Sequence, residues 1–368
     1  MKIKKAFLSI SLLCILATLL ISRENVQAEF ELTFNSIINN FLKNPSGFIY
    51  RDSLSQISGR LQDNSAFTKA DSANRNQLDA WFDSTNTDAL IFFRKDSIIY
   101  ERYSLGSDSG RNVNGMSLQK VITALLIGIA IDEKLIKSEK DHIKNYIKLE
   151  LPTYARDLTF HNLLTHTSGI ESSFSNLNQT LSGKELNFDE KPLKFTKIRE
   201  FKYDNMNYHL LSSILKNVYN LPLNQIIENK IWGPLQLDKA YIQNSAGYCC
   251  VFATARSWLS IGKLFIDPNQ RIISSEWLQK MISSPVDTDK FYVQVTNAFY
   301  GNKYGYHTYF GLAEYPNTYW MEGVGLQLLI INPIEESIIV RLGDMPTFFS
   351  SRRRHTRCRE VSWARRCV

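Results

Sequence analysis

What this chain can fold into is constrained most by an aliphatic run. Residues 121–131, "VITALLIGIAI", are eleven positions broken only by Thr123 and Gly128. As a helix this stretch has no polar side, so it reads as a rod buried on every face. Its mouth is polar, with Ser117 and Lys120 three residues apart. A buried helix needs no charge in its first turn, and taking a Lys out of water is costly. A neutral Lys is a different object. Burial lowers its pKa, and the free amine can take a proton from a nearby hydroxyl. Positions i and i+3 share a helix face, so Ser117 Oγ and Lys120 Nζ can meet. The helix N-terminus adds free N–H groups and a positive field that suit a developing oxyanion. S-x-x-K before an apolar rod therefore fits an activated serine on a rigid support. The bland reading has Ser117 as an N-cap and Lys120 stretching its head to solvent.

The rest of the chain sets bounds. Its 368 residues suffice for one large domain or two small ones, with a sizeable core. The net charge of +7 misleads, because the tail "SRRRHTRCREVSWARRCV" holds seven Arg and one Glu, a net of +6. The remainder is then 7 − 6 = +1, so a nucleic-acid partner would rest on the tail alone. That tail, residues 350–368, has no apolar period and reads like adapter DNA translated into protein; it is expected to be non-native. At the other end, residues 1–28 combine a basic start, an apolar run over residues 6–21 and a "VQA" site with Val26 and Ala28 at the −3 and −1 positions. This is the pattern of a cleaved secretory signal, so the chain is expected to be exported. An uncleaved anchor that keeps the protein near the membrane is the rival. Cys249 and Cys250 are the Cys pair between signal and tail. Sequence neighbours rarely bridge each other, and no His or Cys stands at metal-ligand spacing, so buried free thiols are expected.

Strand patterns surround a helical middle. "DALIFFRKDSIIYERYSLG" reads as strands at residues 89–93 and 98–103 around a Lys95-Asp96-Ser97 turn. Helical runs and long polar loops fill residues 132–235, with further helices at 255–265 and 275–282. Residues 304–344 give four strand-like pieces, with turns at Pro316-Asn317 and Asn332-Pro333. The implied class is α+β: an antiparallel sheet built from both chain ends, flanked by helices, with an inserted helical region and a cleft where the two meet. The domain map is a signal at 1–28, a lead-in at 29–87, a main domain at 88–349 and the basic tail at 350–368.

Two other segments bear on the cleft. "FKYDNMNYHLLSSILKNVY" puts Tyr203, Asp204 and Asn205 before an amphipathic helix with Leu210, Leu211, Ile214 and Leu215 on one face. Tyr203 and Asn205 can aim polar tips into one cleft; a capping Asp with a packed Tyr is the plainer alternative. In "WMEGVGLQLLIINP", Gly323 and Gly325 interrupt a strand. Gly in a strand marks close approach by a ligand or another backbone, and a strand edge beside a serine can offer a second oxyanion donor.

The order S-x-x-K, Y-x-N, glycine-bearing strand resembles the serine beta-lactamase and penicillin-binding-protein superfamily. "LLTHTSG", which contains His166, and "GYCCVFATARSWLSIGKLF" are similar to stretches of the class C beta-lactamase-related hydrolases, which include esterases, D-aminopeptidases and 6-aminohexanoate-dimer hydrolases. The resemblance spans residues 88–344. It implies that Ser117 is acylated, that Lys120 helps deprotonate it, that Tyr203 shuttles the proton to the leaving group and that Asn205 orients the substrate. The N–H groups of Ser117 and Val324, beside Gly323, match the oxyanion hole, and His166 reads as structural.

Departures from the pattern narrow the substrate. The third motif of the superfamily is Lys-Thr-Gly or His-x-Gly; here the triplet is Met321-Glu322-Gly323. The cation that holds a substrate carboxylate is missing and an acid stands in its neighbourhood. The family also closes with a helix on the sheet, which this sequence lacks before its tail, so the native C-terminus is expected to lie elsewhere. The reading is an exported serine hydrolase that cleaves a small-molecule ester, amide or peptide-like substrate through an acyl-enzyme, with no metal and no cofactor. Alternatives are a D,D-peptidase or beta-lactamase, and a non-catalytic sensor or binding protein that keeps the fold.

Overall fold

Strands from early and late in the sequence enter one sheet. The computed structural model describes residues 55–58, 72–186, 193–267, 269, 272–283, 286–288, 303–310 and 317–343. The expected signal at 1–28, the tail at 350–368 and the chain end beyond residue 343 lie outside the described residues. All described residues fall in the unit Ile49–Val368. The first strand is β1 (Ser55–Ile57), followed by helix α1 (Ser72–Ser84) and the hairpin β2 (Thr87–Arg94) and β3 (Ser97–Tyr103). Lys95 and Asp96, both at positive φ, make the turn of that hairpin. Alternation decides what each face of β2 covers. Ala89, Ile91 and Phe93 enter the main core, while Leu90 and Phe92 pack with Leu78 and Phe82 of α1.

β4 (Val113–Asn114) leads to a 3₁₀ turn, Met116–Leu118, and the central helix α2 (Gln119–Asp132). Every residue of α2 from Gln119 to Ala130 is buried, as an all-apolar rod requires. Around and after it come α3 (Phe160–Leu164), β5 (Ile170–Glu171), α4 (Phe174–Leu181), β6 (Lys194–Phe195), α5 (Asn205–Tyr219) and α6 (Leu223–Ile227). Helix α5 packs on α2 through its apolar stripe, with Leu210, Leu211, Ile214 and Leu215 fully buried. Next are β7 (Ala240–Ile242), β8 (Val251–Ala253), α7 (Ala255–Lys263) and α8 (Ser275–Met281). On α8, Trp277 lies over Gly128 and donates from Nε1 to Ala124 O at 3.0 Å, which fixes that helix to α2.

The chain then makes β9 (Val286–Asp287), β10 (Lys303–Gly305), β11 (Thr308–Phe310), β12 (Tyr319–Gly323), β13 (Gln327–Asn332) and β14 (Ser337–Gly343). The main sheet has the order β3-β2-β14-β13-β12-β11-β10-β9, antiparallel throughout. Pairing of β14 with β2 joins the late strands to the early hairpin. The stretch read as four strand pieces holds five, because residues 303–310 form their own short hairpin. A second sheet, β1-β7-β8-β4, was not foreseen; it draws Ser55–Ile57 of the lead-in onto the body and carries the entry to Ser117. Among the described residues no helix is long and apolar enough to cross a membrane, and no group of three or more His, Cys, Asp or Glu is placed to hold a metal.

The free-thiol expectation is wrong. Cys249 and Cys250 are joined by a disulfide across the loop between β7 and β8. The physical reason lies in the backbone. Cys250 adopts φ 80°, in the left-handed region, which turns the two side chains onto one side of the chain.

Candidate active site

Ser117 sits in the 3₁₀ turn at the mouth of α2, with its side chain partly open to solvent. The turn is lashed down on both sides. Asn114 Oδ1 accepts from Met116 N at 2.8 Å, Gly115 N–H donates to Val251 O at 2.8 Å and Cys250 N–H donates to Met116 O at 3.3 Å. Met116 takes φ 49°, a conformation such a side chain adopts only when its surroundings impose it. Ser117 is no N-cap: that position is Gly115 for the 3₁₀ turn and Leu118 for α2.

Lys120 does not reach solvent. It is 0% exposed, and Nζ lies 2.9 Å from Ser117 Oγ and 2.9 Å from Tyr248 O. The rings of Tyr203, Tyr248 and Tyr208 surround it, with centroids 5.0, 5.6 and 5.9 Å from Nζ. Burial among these rings pushes the Lys120 amine well below the usual lysine range; the charge of Asp204 opposes that shift but is the smaller effect. A neutral amine beside a hydroxyl is a proton acceptor in place.

Tyr203 and Asn205 flank the start of α5. Asp204 is its N-cap, accepting from Met206 N at 2.8 Å and, with its other oxygen, from Ser172 N at 2.7 Å. That capping sets Tyr203 on one side and Asn205 on the other. The Tyr203 ring lies 5.0 Å from Lys120 Nζ, and burial pushes the phenol above its ordinary value, with the charges of Glu322 and Asp204 adding to the rise. Asn205 Oδ1 is buried with no hydrogen-bond partner among the described residues.

Behind Tyr203 stands His166, at φ 55° and 1% exposed, stacked on the phenol ring at 4.5 Å. Its Nδ1 accepts from Asp204 N–H at 3.1 Å, which leaves the ring proton on Nε2. Nε2–H then donates to Tyr304 Oη at 3.0 Å, and the Tyr304 hydroxyl donates to His307 Nδ1 at 3.1 Å. Burial pushes His166 well below its ordinary value and keeps it neutral, so it positions Tyr203 and Asp204 and carries no charge.

The third wall is the end of β12. Gly323 is obligatory by contact: a Cβ there would stand 2.4 Å from Gly115 O and 3.0 Å from Ser117 N. The strand thus runs against the Ser117 turn, and Val324 opens the hairpin that follows. Arg341 of β14 is buried and clamps that hairpin, donating from Nη1 to Gly325 O at 2.7 Å and Leu326 O at 2.8 Å. Met321 faces the core and is fully buried, while Glu322, 4% exposed, lies on the opposite face within electrostatic range of Tyr203.

The structure therefore brings Ser117, Lys120, Tyr203 and Gly323 together, with Asn205 two residues on from Tyr203 and Val324 next to Gly323. Sequence reasoning missed Asp204 as the charge nearest Lys120, the carbonyl of Tyr248, the Tyr304–His307 pair and Arg341. Only Asp204 carried a signal, as a capping residue before a helix. The others act through backbone atoms or long-range contacts that leave no pattern in the sequence.

An antiparallel sheet backed by a buried helix, with a Ser-Lys pair at the helix mouth and a Tyr opposite, defines the beta-lactamase and transpeptidase class of fold. The chain belongs to the beta-lactamase family, whose family model matches residues 113–353. It is 22% identical over 302 residues to the 6-aminohexanoate-dimer hydrolase of Paenarthrobacter ureafaciens, covering 73% of this chain and 75% of that protein. Among solved structures, a Bacillus anthracis protein provisionally named as a 6-aminohexanoate-dimer hydrolase superposes with a TM-score of 0.65 at 18% identity, covering 84% of this chain and 90% of that one. The beta-lactamase/D-alanine carboxypeptidase of Yersinia pestis, complexed with citrate, gives 0.61 at 15% identity over 74% and 92%.

Proposed function

We propose that this protein is a serine hydrolase that cleaves an ester or amide through an acyl-enzyme on Ser117. The observation that carries the reading is Lys120: wholly buried, depressed in pKa and 2.9 Å from Ser117 Oγ. As Oγ attacks the carbonyl carbon, its proton passes to the Lys120 amine. The carbonyl oxygen becomes an oxyanion against the N–H groups of Ser117 and Val324. Tyr203, held protonated by burial, donates its proton to the departing oxygen or nitrogen as the scissile bond breaks, and is reprotonated from Lys120. Asn205 Oδ1 accepts a donor from the substrate. Water then attacks the acyl carbon and passes a proton to the Lys120 amine, and Oγ leaves, taking that proton back to restore the Ser117 hydroxyl.

Two features support the ester or amide reading over a D,D-peptidase or beta-lactamase. The position of the family's carboxylate-binding cation is Met321, turned into the core, and Glu322 puts an acid near Tyr203. Penicillins and D-Ala-D-Ala stems carry a carboxylate that such a site repels. Export also belongs to this proposal. It is supported by the pattern of residues 1–28 and by a disulfide, which suits an oxidising compartment.

The test is turnover of a chromogenic short-chain ester, with nitrocefin and a fluorescent penicillin in parallel. Ester turnover with little nitrocefin turnover is expected. Rapid nitrocefin turnover would favour the beta-lactamase reading, and binding without any turnover would favour a sensor.

A further inference from the structure

The loop between β7 and β8 touches both halves of the Ser-Lys pair. Gly247 O accepts from Thr123 Oγ1 at 2.8 Å, one turn along α2 from Lys120. Tyr248 O accepts from Lys120 Nζ at 2.9 Å, and the Tyr248 ring forms part of the wall around that amine. Cys250 N–H donates to Met116 O at 3.3 Å, immediately before Ser117. Val251 O accepts from Gly115 N–H at 2.8 Å. The segment that anchors the lysine and the segment that anchors the serine turn are therefore neighbours in one short loop. The Cys249–Cys250 disulfide lies between them.

The loop needs a backbone conformation that a Cys does not favour. Cys250 sits at φ 80°, where an L side chain clashes with its own carbonyl. Gly could take this φ freely; Cys has to be held there. A bond from Cys250 to Cys249 closes a ring with the intervening peptide and supplies that restraint.

We propose that the Cys249–Cys250 disulfide is a positioning element for acyl transfer: by holding residue 250 left-handed it sets Tyr248 O against Lys120 and the Cys250 N–H against the Ser117 turn. The proposal rests on the reading of Ser117 and Lys120 as the reacting pair. It makes the enzyme redox-sensitive. A thiolate of a small dithiol attacks Cys249 Sγ, the less buried sulfur, and Cys250 leaves as a thiolate that takes up a proton. The second thiol of the reagent displaces Cys249, which also leaves protonated, while the reagent closes its own disulfide. Two electrons and two protons pass from reagent to protein. Residue 250 is then free to relax towards negative φ, and the Tyr248 carbonyl and the Cys250 N–H move with it.

The experiment uses the full chain and a fluorophosphonate probe, which reports acylation of Ser117 directly. In oxidised protein Ser117 is expected to label, and Cys249 and Cys250 to resist alkylation after unfolding. After dithiothreitol, with both Cys shown by alkylation to be reduced, the limiting labelling rate should fall on the order of 10- to 100-fold, as for misplaced reacting groups, while the half-saturating probe concentration stays the same. Reoxidation should restore the rate. A disulfide with a merely structural role would lower the melting temperature and leave the limiting rate unchanged. Two variants complete the test and serve even if the buried bond resists reduction. The pair Cys249→Ala with Cys250→Gly keeps the left-handed residue at no steric cost, and should label at the oxidised rate and ignore dithiothreitol. The pair Cys249→Ala with Cys250→Ala should label slowly. Equal rates in the two variants, or an unchanged rate in protein proven to be reduced, would overturn the proposal. Failure of oxidised wild type to label at Ser117 would instead remove the serine-hydrolase reading beneath it.

Discussion

Lys120 Nζ lies 2.9 Å from Ser117 Oγ with no exposed surface of its own, so in the proposed mechanism the proton of a partly exposed serine passes to a fully buried amine. Replacing Lys120 by Met keeps the volume, suits the apolar surroundings and removes the acceptor. Turnover should fall nearly as far as in Ser117→Ala, because groups that act as a unit do not contribute additively. Circular dichroism should show both variants folded. Mass spectrometry of the fluorophosphonate adduct in wild type should place the label on Ser117; a label elsewhere would refute the assignment.

Tyr203 should cost less than either. Burial keeps it a phenol, so in the proposed mechanism it is the donor to the leaving group. Tyr203→Phe removes the hydroxyl and keeps the ring stacked on His166, and should lower kcat on the order of 10²–10⁴-fold, the range for a lost general acid–base. A melting temperature near that of wild type would separate this loss from a packing effect.

The pH profile distinguishes which group must lose a proton. Lys120 has to be neutral to accept from Ser117, and its pKa is depressed, so kcat/KM should rise with pH through a value well below the ordinary 10.5. Tyr203 is shifted upward, so a mechanism that needs a phenolate would show activity only in strong alkali. Loss of activity on acidification, through a pH well below 10.5, is the expected result. Lys120→Met should lose the acid limb along with the rate.

Much of this was legible because the informative residues lie in local patterns. The rod from Val121 could only be buried, period-2 alternation placed the early and late strands, and Ser117, Lys120, Tyr203 and Asn205 each lay in a short motif. The extent of β2, read as residues 89–93, came out as Thr87–Arg94, because strand ends are set by ladder partners that sequence does not display. The same holds for the second sheet, whose strands are two or three residues long. The vicinal disulfide was missed for a different reason. A general preference against bridging neighbours was applied to a residue whose φ was unknown, and at φ 80° that preference no longer decides.

His209 should make the fold acid-sensitive. It is buried on α5, and burial depresses its pKa from 6.5 to about 4. The unfolded chain therefore binds a proton that the folded chain refuses between those values. Stability should be full above pH 6.5, fall as the pH drops towards 4, and change no further through this group below that. A fall from 6.5 to about 4 corresponds to about 3 kcal/mol at most. Denaturant melts at neutral and acid pH measure it. His209→Gln should shrink the difference, and an unchanged slope would assign the acid sensitivity to His166 and His307, which are also held neutral by burial.

Gly128 offers a test of the scaffold apart from the chemistry. A Cβ at this position would lie 2.2 Å from Trp277 Cδ1, so Gly128→Ala has to push α8 away from α2. The gain in helix propensity, about 1 kcal/mol, is opposed by overpacking of about 1–3 kcal/mol and by weakening of the Trp277–Ala124 bond. A net loss of stability is expected, seen as a lower melting temperature, with the labelling rate of Ser117 little changed because Gly128 lies two turns along the rod. Stabilisation would mean that Trp277 can move freely.

Substrate charge should respond to the β12 triplet. Met321 is buried where the family carries its cation, and Glu322 presents an acid on the Tyr203 side of the strand. Changing Glu322 to Thr removes a repelling carboxylate from the Tyr203 side of β12, while Met321 to Lys adds an attracting ammonium from the core side of the same strand. The double variant should gain kcat/KM on carboxylate-bearing beta-lactams relative to neutral esters, and the gain should shrink as salt is raised. Burial of Met321 makes the Lys the riskier half of the pair, so Glu322→Thr or Glu322→Gln alone should give a smaller shift in the same direction. Wild-type enzyme that already acylates penicillins as fast as neutral esters would show that the triplet does not set charge preference.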